Sequence, residues 1–390
     1  MNNFHFHSPT QFVFGKDTEK EVGKLLKQHH AKNVFIHYGG GSVIRSGLLD
    51  RVKKILNQNG IAFFELGGAR PNPRSSLVYE GIKLCKENKA DFVLAVGGGS
   101  AIDSAKAIAV GAKYDGDFWD FYENLAKIEA GLPIGVILTI PAAGSEGSLS
   151  SVITNENGML KRGIVSQFYR PAFAIINPEL TYTLPMYQMS AGIVDMMGHI
   201  FERYFTRTKD VELTDKMSEA VLLSIIEAAR VIIKDNLNYE ARATICWAGT
   251  IAHNGILGVG KEDDWATHFL EHELSALYDV AHGAGLAVMY PAFMKYTVDV
   301  DVQRYRRLAV NVFGVKDNPQ DPRSVAIEGI KALENFYKEL EMPITFAQLG
   351  AKKEDIDKLL KTLEINRGQF FGSYKILSLD DARKIYLLAC

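Results

Sequence analysis

Asp195, His199, His268 and His282 bring one carboxylate and three imidazoles to spacings that suit a single divalent cation. In Ala191-Gly-Ile-Val-Asp195-Met-Met-Gly-His199 the first pair stands four apart, which on a helix stacks both side chains on one face. Trp265-Ala-Thr-His268-Phe-Leu-Glu-His272 repeats the interval, and Val280-Ala-His282-Gly283-Ala-Gly285 follows after an expected break. Three of the ten histidines thus fall within 268–282, where Gly283 and Gly285 permit close backbone approach. Imidazole and carboxylate oxygen suit Zn²⁺ or Fe²⁺ better than Mg²⁺ or Ca²⁺. Four such ligands leave a position for a substrate oxygen on a five- or six-coordinate ion. An isolated imidazole on a partly apolar helix is more often a hydrogen-bonded core or surface residue, and His5, His7, His29, His30 and His253 keep that reading.

A second constellation suits an anion. Asp91-Phe-Val-Leu-Ala-Val-Gly97-Gly98-Gly99-Ser100-Ala-Ile-Asp103 reads as a buried strand, a glycine turn and a helix starting near Ser100, so that backbone N–H groups and the helix dipole face a pyrophosphate. The spacing is not G-x-G-x-x-G, and a purely structural turn fits this segment equally well. Upstream, Val34-Phe-Ile-His-Tyr-Gly39-Gly40-Gly41-Ser42-Val-Ile-Arg45 repeats the order of strand, three glycines and serine. In a doubly wound sheet, two such turns at the carboxyl ends of neighbouring strands hold the two ends of one dinucleotide. No acidic side chain stands in residues 37–44 to meet a ribose 2′-hydroxyl, whereas Ser42 and Arg45 suit a 2′-phosphate, so NADP(H) is favoured over NAD(H).

At this point the chain resembles the metal-dependent (iron-containing) alcohol dehydrogenases, and among them the NADPH-dependent butanol dehydrogenase and aldehyde reductase branch. The resemblance covers nearly the whole chain. It is carried by Gly97-Gly-Gly-Ser-Ala-Ile-Asp103, Thr139-Ile-Pro-Ala-Ala-Gly-Ser145-Glu146, Asp195-x-x-x-His199 and the run from Trp265 through His268 and His272 to His282-Gly283. It implies that Asp195, His199, His268 and His282 are the metal ligands. It also implies that Gly97, Gly98, Gly99 and Ser100 bind pyrophosphate, and that Gly40, Gly41 and Ser42 form an NADP-type adenosine site. Thr139 and Lys161 match further cofactor contacts, although a solvated lysine at 161 is an equal alternative. His272 matches a histidine beside the nicotinamide, and Asp103 is expected to line the same cleft. Where many relatives have threonines, positions 142 and 143 are alanine, which leaves Thr139, Ser145 and Ser148 as candidate donors to the cofactor.

The expected reaction interconverts primary alcohols and aldehydes of the butanol and butyraldehyde kind, with NADP(H), Fe²⁺ or Zn²⁺, and His272 as proton relay. Two other classes share the pattern. One is a dehydroquinate synthase-like or polyol-type nicotinamide and metal enzyme; a dehydroquinate synthase type calls for more lysines and arginines near the metal than residues 191–199 supply. The other is a nucleotide-binding relative without turnover.

These residues need a scaffold that sets strand ends beside helix faces. Across 33–140, β-branched runs alternate with helical stretches, which is α/β order with a parallel sheet. Gln11–Phe14 reads as an edge strand or hairpin, and 151–154 with 163–166 as a further pair. After Pro185, apolar residues recur at helical spacing through 211–233, 240–254, 264–278 and 323–340. The expectation is a doubly wound α/β dinucleotide-binding domain over 1–184 and an all-helical metal-binding domain over 185–390, together dehydroquinate synthase-like, packed with the active cleft between them. The length of 390 residues suits two domains, and a net charge of −2 with dispersed Lys and Arg gives no electrostatic support for nucleic-acid binding. No apolar run reaches the roughly 18 residues that span a bilayer. Three isolated cysteines, Cys85, Cys246 and Cys390, suit a reducing cytoplasm, and a homodimer is expected.

Overall fold

Short β-branched and aromatic runs bounded by turn formers become the strands of the first half, because such side chains pack well on a pleated, buried surface. The computed structural model describes all 390 residues, which divide into two compact units: His7–Leu184, and Pro185–Cys390 together with Met1–Phe6.

The first unit holds strands β1 (Gln11–Phe14), β2 (Asn33–Tyr38), β3 (Ala62–Leu66), β4 (Phe92–Gly97), β5 (Ile134–Leu138), β6 (Ser150–Asn155), β7 (Leu160–Val165) and β8 (Phe173–Ile176). Between them lie helices α1 (Val22–Gln28), α2 (Ser42–Arg45), α3 (Leu48–Gln58), α4 (Ser75–Glu87), α5 (Gly99–Gly111) and α6 (Trp119–Tyr122). Six strands form one parallel sheet in the order β1-β8-β5-β4-β2-β3, and β6 and β7 pair antiparallel outside it. β4 and β5 are buried at every residue, as central strands covered on both faces must be. Val34, Ile36, Leu94, Val96, Ile137 and Ile175 pack there with Leu25, Leu49 and Val52 from α1 and α3.

The strand order matters for function. From β2 the chain moves outward to β3, then returns to β4 beside β2 and proceeds to β5 on the other side. The sheet therefore reverses its winding between β2 and β4, the place where open α/β sheets bind ligands at the carboxyl ends of their strands. The register runs from Val34↔Phe92 to Tyr38↔Val96, so the turns that follow these two strands, Gly39–Gly41 and Gly97–Gly99, leave the sheet side by side.

The second unit consists of α7 (Met186–Tyr204), α8 (Glu212–Lys234), α9 (Tyr239–His253), α10 (Ala266–Tyr278), α11 (His282–Thr297), α12 (Val302–Asn311), α13 (Pro322–Glu339), α14 (Phe346–Leu349), α15 (Ile356–Arg367) and α16 (Leu379–Leu388). One small antiparallel ribbon, Phe370–Phe371 with Leu377–Ser378, departs from the all-helical expectation. α7 is buried without interruption from Met189 to Tyr204, its polar residues Asp195, His199, Glu202 and Arg203 included, which makes it the central helix. Residues 1–6, grouped by the sequence with the α/β half, join this unit instead. The Met1 ammonium donates to Lys209 O (2.8 Å) and the Asn2 amide to Gly260 O (2.9 Å). No helix is long and apolar enough to cross a membrane.

Candidate metal centre and cofactor turns

Three helices of the second unit supply the ligand set. Asp195 and His199 lie one turn apart on α7, His268 lies in the first turn of α10, and His282 begins α11. Ligand atoms of Asp195, His268 and His282 all lie within 4.8 Å of one another. His199 stands just outside this tight trio, with Nε2 at 3.3 Å from Asp195 Oδ1 and its ring centroid 4.7 Å from that of His268. Contact between α7 and α11 depends on Gly283, where a Cβ would come within 1.8 Å of Ala191 O.

Two carboxylates orient the imidazoles. His268 Nδ1–H donates to Glu202 Oε1 at 2.7 Å, and the same carboxylate accepts the backbone N–H groups of Trp265 (2.7 Å) and His268 (3.0 Å). His282 Nδ1–H donates to Glu271 Oε2, and Gly285 leaves room for that carboxylate, since a Cβ there would sit 2.4 Å from Glu271 Oε1. With each Nδ1–H committed, the Nε2 lone pairs are left for a cation. Burial holds His199 well below the usual imidazole range, aided by His268, Arg203 and His282, which keeps it in the neutral form that metal binding requires. Asp195 Oδ1 and His268 Nε2 are buried polar atoms with no hydrogen-bond partner in the chain. Such atoms are costly in a folded protein, and a shared cation removes that cost, so the donor set fits a divalent metal.

His272 lies one turn beyond His268 on α10, buried, with its ring centroid 5.5 Å from that of His282. Glu271, His272 and His282 also offer ligand atoms within 4.8 Å of one another.

In the α/β unit, Gly97, Gly98, Gly99 and Ser100 form the junction of β4 and α5. No side chain caps α5, so with the Ala101 amide on Gly98 O the amides of Gly99 and Ser100 and the dipole remain to face an anion. A Cβ on Gly97 would lie 3.8 Å from Gly39 N, which shows how closely the two glycine turns approach. Gly40 is exposed, and a Cβ added there would meet nothing within 4 Å, while the Arg45 guanidinium folds back to within 2.5 Å of where a Gly41 Cβ would be. Ser42 opens α2 and is exposed. Thr139 follows β5 and donates its amide to Gly97 O at 3.0 Å. Lys161, on β7, is buried and donates to Asn72 Oδ1 at 2.9 Å, so it is not a solvated lysine.

Asp103, Ser145 and Ser148 are tied to one another and to Lys106 within the protein. Asp103 Oδ1 accepts the Ser145 hydroxyl (2.5 Å) and Oδ2 the Val152 amide (2.9 Å), which ties α5 to the loop after β5 and to β6. Ser145 and Ser148, 3% and 1% exposed, turn their hydroxyls toward Lys106. Nothing in the sequence pattern singles out Lys106. Its ammonium is fully buried, and its three N–H donors are surrounded by five oxygens within 3.2 Å: the carbonyls of Ser145, Ser148 and Ser150 and the hydroxyls of Ser145 and Ser148. Burial lowers its pKa to about 8, against the pull of Asp103 and Glu146. These contacts lock the loop after β5, the segment that carries the alanines at 142 and 143. Sequence reasoning overlooks Glu202 and Glu271 as well, although each stands three residues after a histidine of the ligand set and so shares its helix face.

Comparison with known proteins agrees along the whole length. The iron-containing alcohol dehydrogenase family matches residues 9–178, and the C-terminal part of the Fe-containing alcohol dehydrogenase family matches 189–389. The chain is 43% identical over 387 residues to the probable NADH-dependent butanol dehydrogenase 2 of Bacillus subtilis, covering 99% of each. It is 37% identical over 390 residues to the NADPH-dependent aldehyde reductase YqhD of Escherichia coli, again covering 99% of each. The crystal structure of NADH-dependent butanol dehydrogenase A from Thermotoga maritima superposes with a TM-score of 0.97 at 39% identity, covering 100% of this chain and 99% of that one.

Proposed function

We propose that this chain, which belongs to the iron-containing alcohol dehydrogenase family, interconverts primary alcohols and aldehydes of the butanol and butyraldehyde kind by hydride transfer with NADP(H). The observation that carries the reading is the convergence of Asp195, His268 and His282, two of them aimed by buried carboxylates. With His199 these residues would hold Fe²⁺ or Zn²⁺, since imidazole and carboxylate accept either. When bound, the cation supplies Lewis acidity toward an alcohol or carbonyl oxygen, and the nicotinamide gives or takes the hydride.

The chain's own residues do the rest. Glu202 and Glu271 fix the imidazole tautomers and keep the rings from turning. His272, one helical turn from His268, is the candidate to hand on the alcohol proton. The Gly97–Ser100 turn would take the pyrophosphate at the start of α5. Lys106 and Asp103 hold the neighbouring loop still.

NADP(H) is proposed over NAD(H) from the turn after β2. It offers glycines, Ser42 and the folded-back Arg45 guanidinium, and residues 37–44 contain no carboxylate to repel a 2′-phosphate. Among the relatives, the E. coli reductase is NADPH-dependent and the B. subtilis and T. maritima butanol dehydrogenases are NADH-dependent. A homodimer and a cytoplasmic location belong to the same reading. All three cysteines are free, two of them buried, and β1 lies at the edge of the sheet.

The deciding experiment supplies butyraldehyde with NADPH or NADH to metal-loaded and chelator-stripped protein. Loaded protein should consume NADPH at the higher kcat/KM, and stripped protein should be inactive. Equal rates with and without metal would remove the metal from the reaction, and a preference for NADH would overturn the cofactor assignment alone.

A further inference from the structure

We propose that His253 positions His199 by packing its ring against it and so controls how long the chain retains its cation, an inference that rests on the ligand reading above. His268 and His282 are each aimed by a carboxylate, but His199 is not: its Nδ1 is buried with no hydrogen-bond partner in the chain. An imidazole without such a tether can rotate about its side-chain bonds and leave the ion.

What restrains it is a wall of rings. The His253 ring, from the end of α9, lies 4.0 Å from the His199 ring, centroid to centroid, at 35°. Trp265 stands edge-on to His199 (5.6 Å, 63°), to His253 (5.7 Å, 73°) and to His268 (5.2 Å, 67°). Trp265 holds this place in a left-handed backbone conformation, φ 71°, which a bulky side chain rarely adopts, with its amide on Glu202. The residue that aims His268 therefore also anchors the wall behind His199.

Arg203 settles the charge of that wall. Its Nη1 donates to His199 O at 2.7 Å, its Nη2 lies 3.1 Å from His253 Nδ1, and its guanidinium sits 4.9 Å above the Trp265 ring. A guanidinium can only donate, so His253 Nδ1 is the acceptor and the ring is neutral, with its hydrogen on Nε2. A neutral ring packs against a metal-binding imidazole without charge repulsion, whereas a protonated one would set a second cation against Arg203. For His199 to swing away, the two rings must first separate.

Full-length protein loaded with Zn²⁺ and mixed with excess chromogenic zinc chelator reads this directly as a release rate. His253→Leu fills the space without a ring and His253→Ala empties it; both should release zinc on the order of tenfold faster than the parent, whereas His253→Phe should stay within about twofold. Metal-free melting temperatures of the Leu and Phe variants should agree, which separates positioning from general destabilisation. Release at the parent rate in the Leu variant would overturn the proposal, and so would a Phe variant as fast as Leu, which would shift the role to the nitrogen that faces Arg203. A parent chain that takes up no stoichiometric zinc would end the ligand reading itself, an outcome distinct from either.

Discussion

The histidine cluster of the helical unit and the glycine turns of the α/β unit are built on opposite terms. The cluster depends on side chains from α7, α10 and α11, which the chain brings together from distant positions, with Glu202 and His268 separated by 66. The turns depend on backbone, and each is complete within a few consecutive residues after a strand. A side-chain site fails when atoms are removed, because the charge or lone pair is gone. A backbone site fails when atoms are added, because space beside the N–H groups is what it offers.

The largest expected effect comes from removal. His268→Ala or His282→Ala should lose the metal and lower kcat/KM on the order of 1,000-fold, about 4 kcal/mol of barrier, while NADPH binding is kept. Elemental analysis beside cofactor titration checks both halves, and unchanged metal content in both variants would refute the ligand assignment.

Next comes a test of the scaffold beneath the first turn. His37, on β2 two residues before Gly39, is fully buried, shares a 2.9 Å hydrogen bond from Nδ1 to Leu66 O, and is lowered by burial to about 4. Its folded value lies below the ordinary 6.5, so between 6.5 and about 4 the unfolded chain takes up a proton that the folded chain refuses. Stability is therefore lost as pH falls through that window, by up to roughly 3 kcal/mol. In metal-free protein, His37→Leu should flatten the dependence of melting temperature on pH between 7 and 4; identical slopes for variant and parent would remove His37 as the cause.

The smallest effect comes from addition. Gly40 has open space around it, so Gly40→Asp should fold normally and place a carboxylate where a 2′-phosphate would lie. NADPH affinity should fall about tenfold, near 1.4 kcal/mol, with metal content untouched. Unchanged or tighter NADPH binding would show that the adenosine ribose lies elsewhere. Together with the histidine variants, this tests whether the two sites fail independently.

Much of this is legible in the sequence because it is local. The alternation of short apolar runs and helical stretches over 33–140 is written in consecutive residues, as are the glycine turns and the four-residue interval from Asp195 to His199. The periodicity of 211–233 and 323–340 likewise foretells α8 and α13 to within a residue or two of their ends. His253 gains no role from the sequence, because a lone imidazole has no local signature of its use. The contacts of Ser145 and Ser148 with Lys106 are not legible there, because a hydroxyl's direction is not encoded by its neighbours.

By itself, then, the amino-acid order determined which segments become strand, turn and helix, and which residue types were available as ligands, since those follow from side-chain period and backbone preference over one or two turns. Only the tertiary structure decided that β2 and β4 are neighbours, that Glu202 and Glu271 aim the imidazoles, that Lys106 binds the loop after β5 and that His253 backs His199. Each of these pairs groups distant in the chain, and their energy comes from burial and hydrogen bonding that exist only once the core has closed around them.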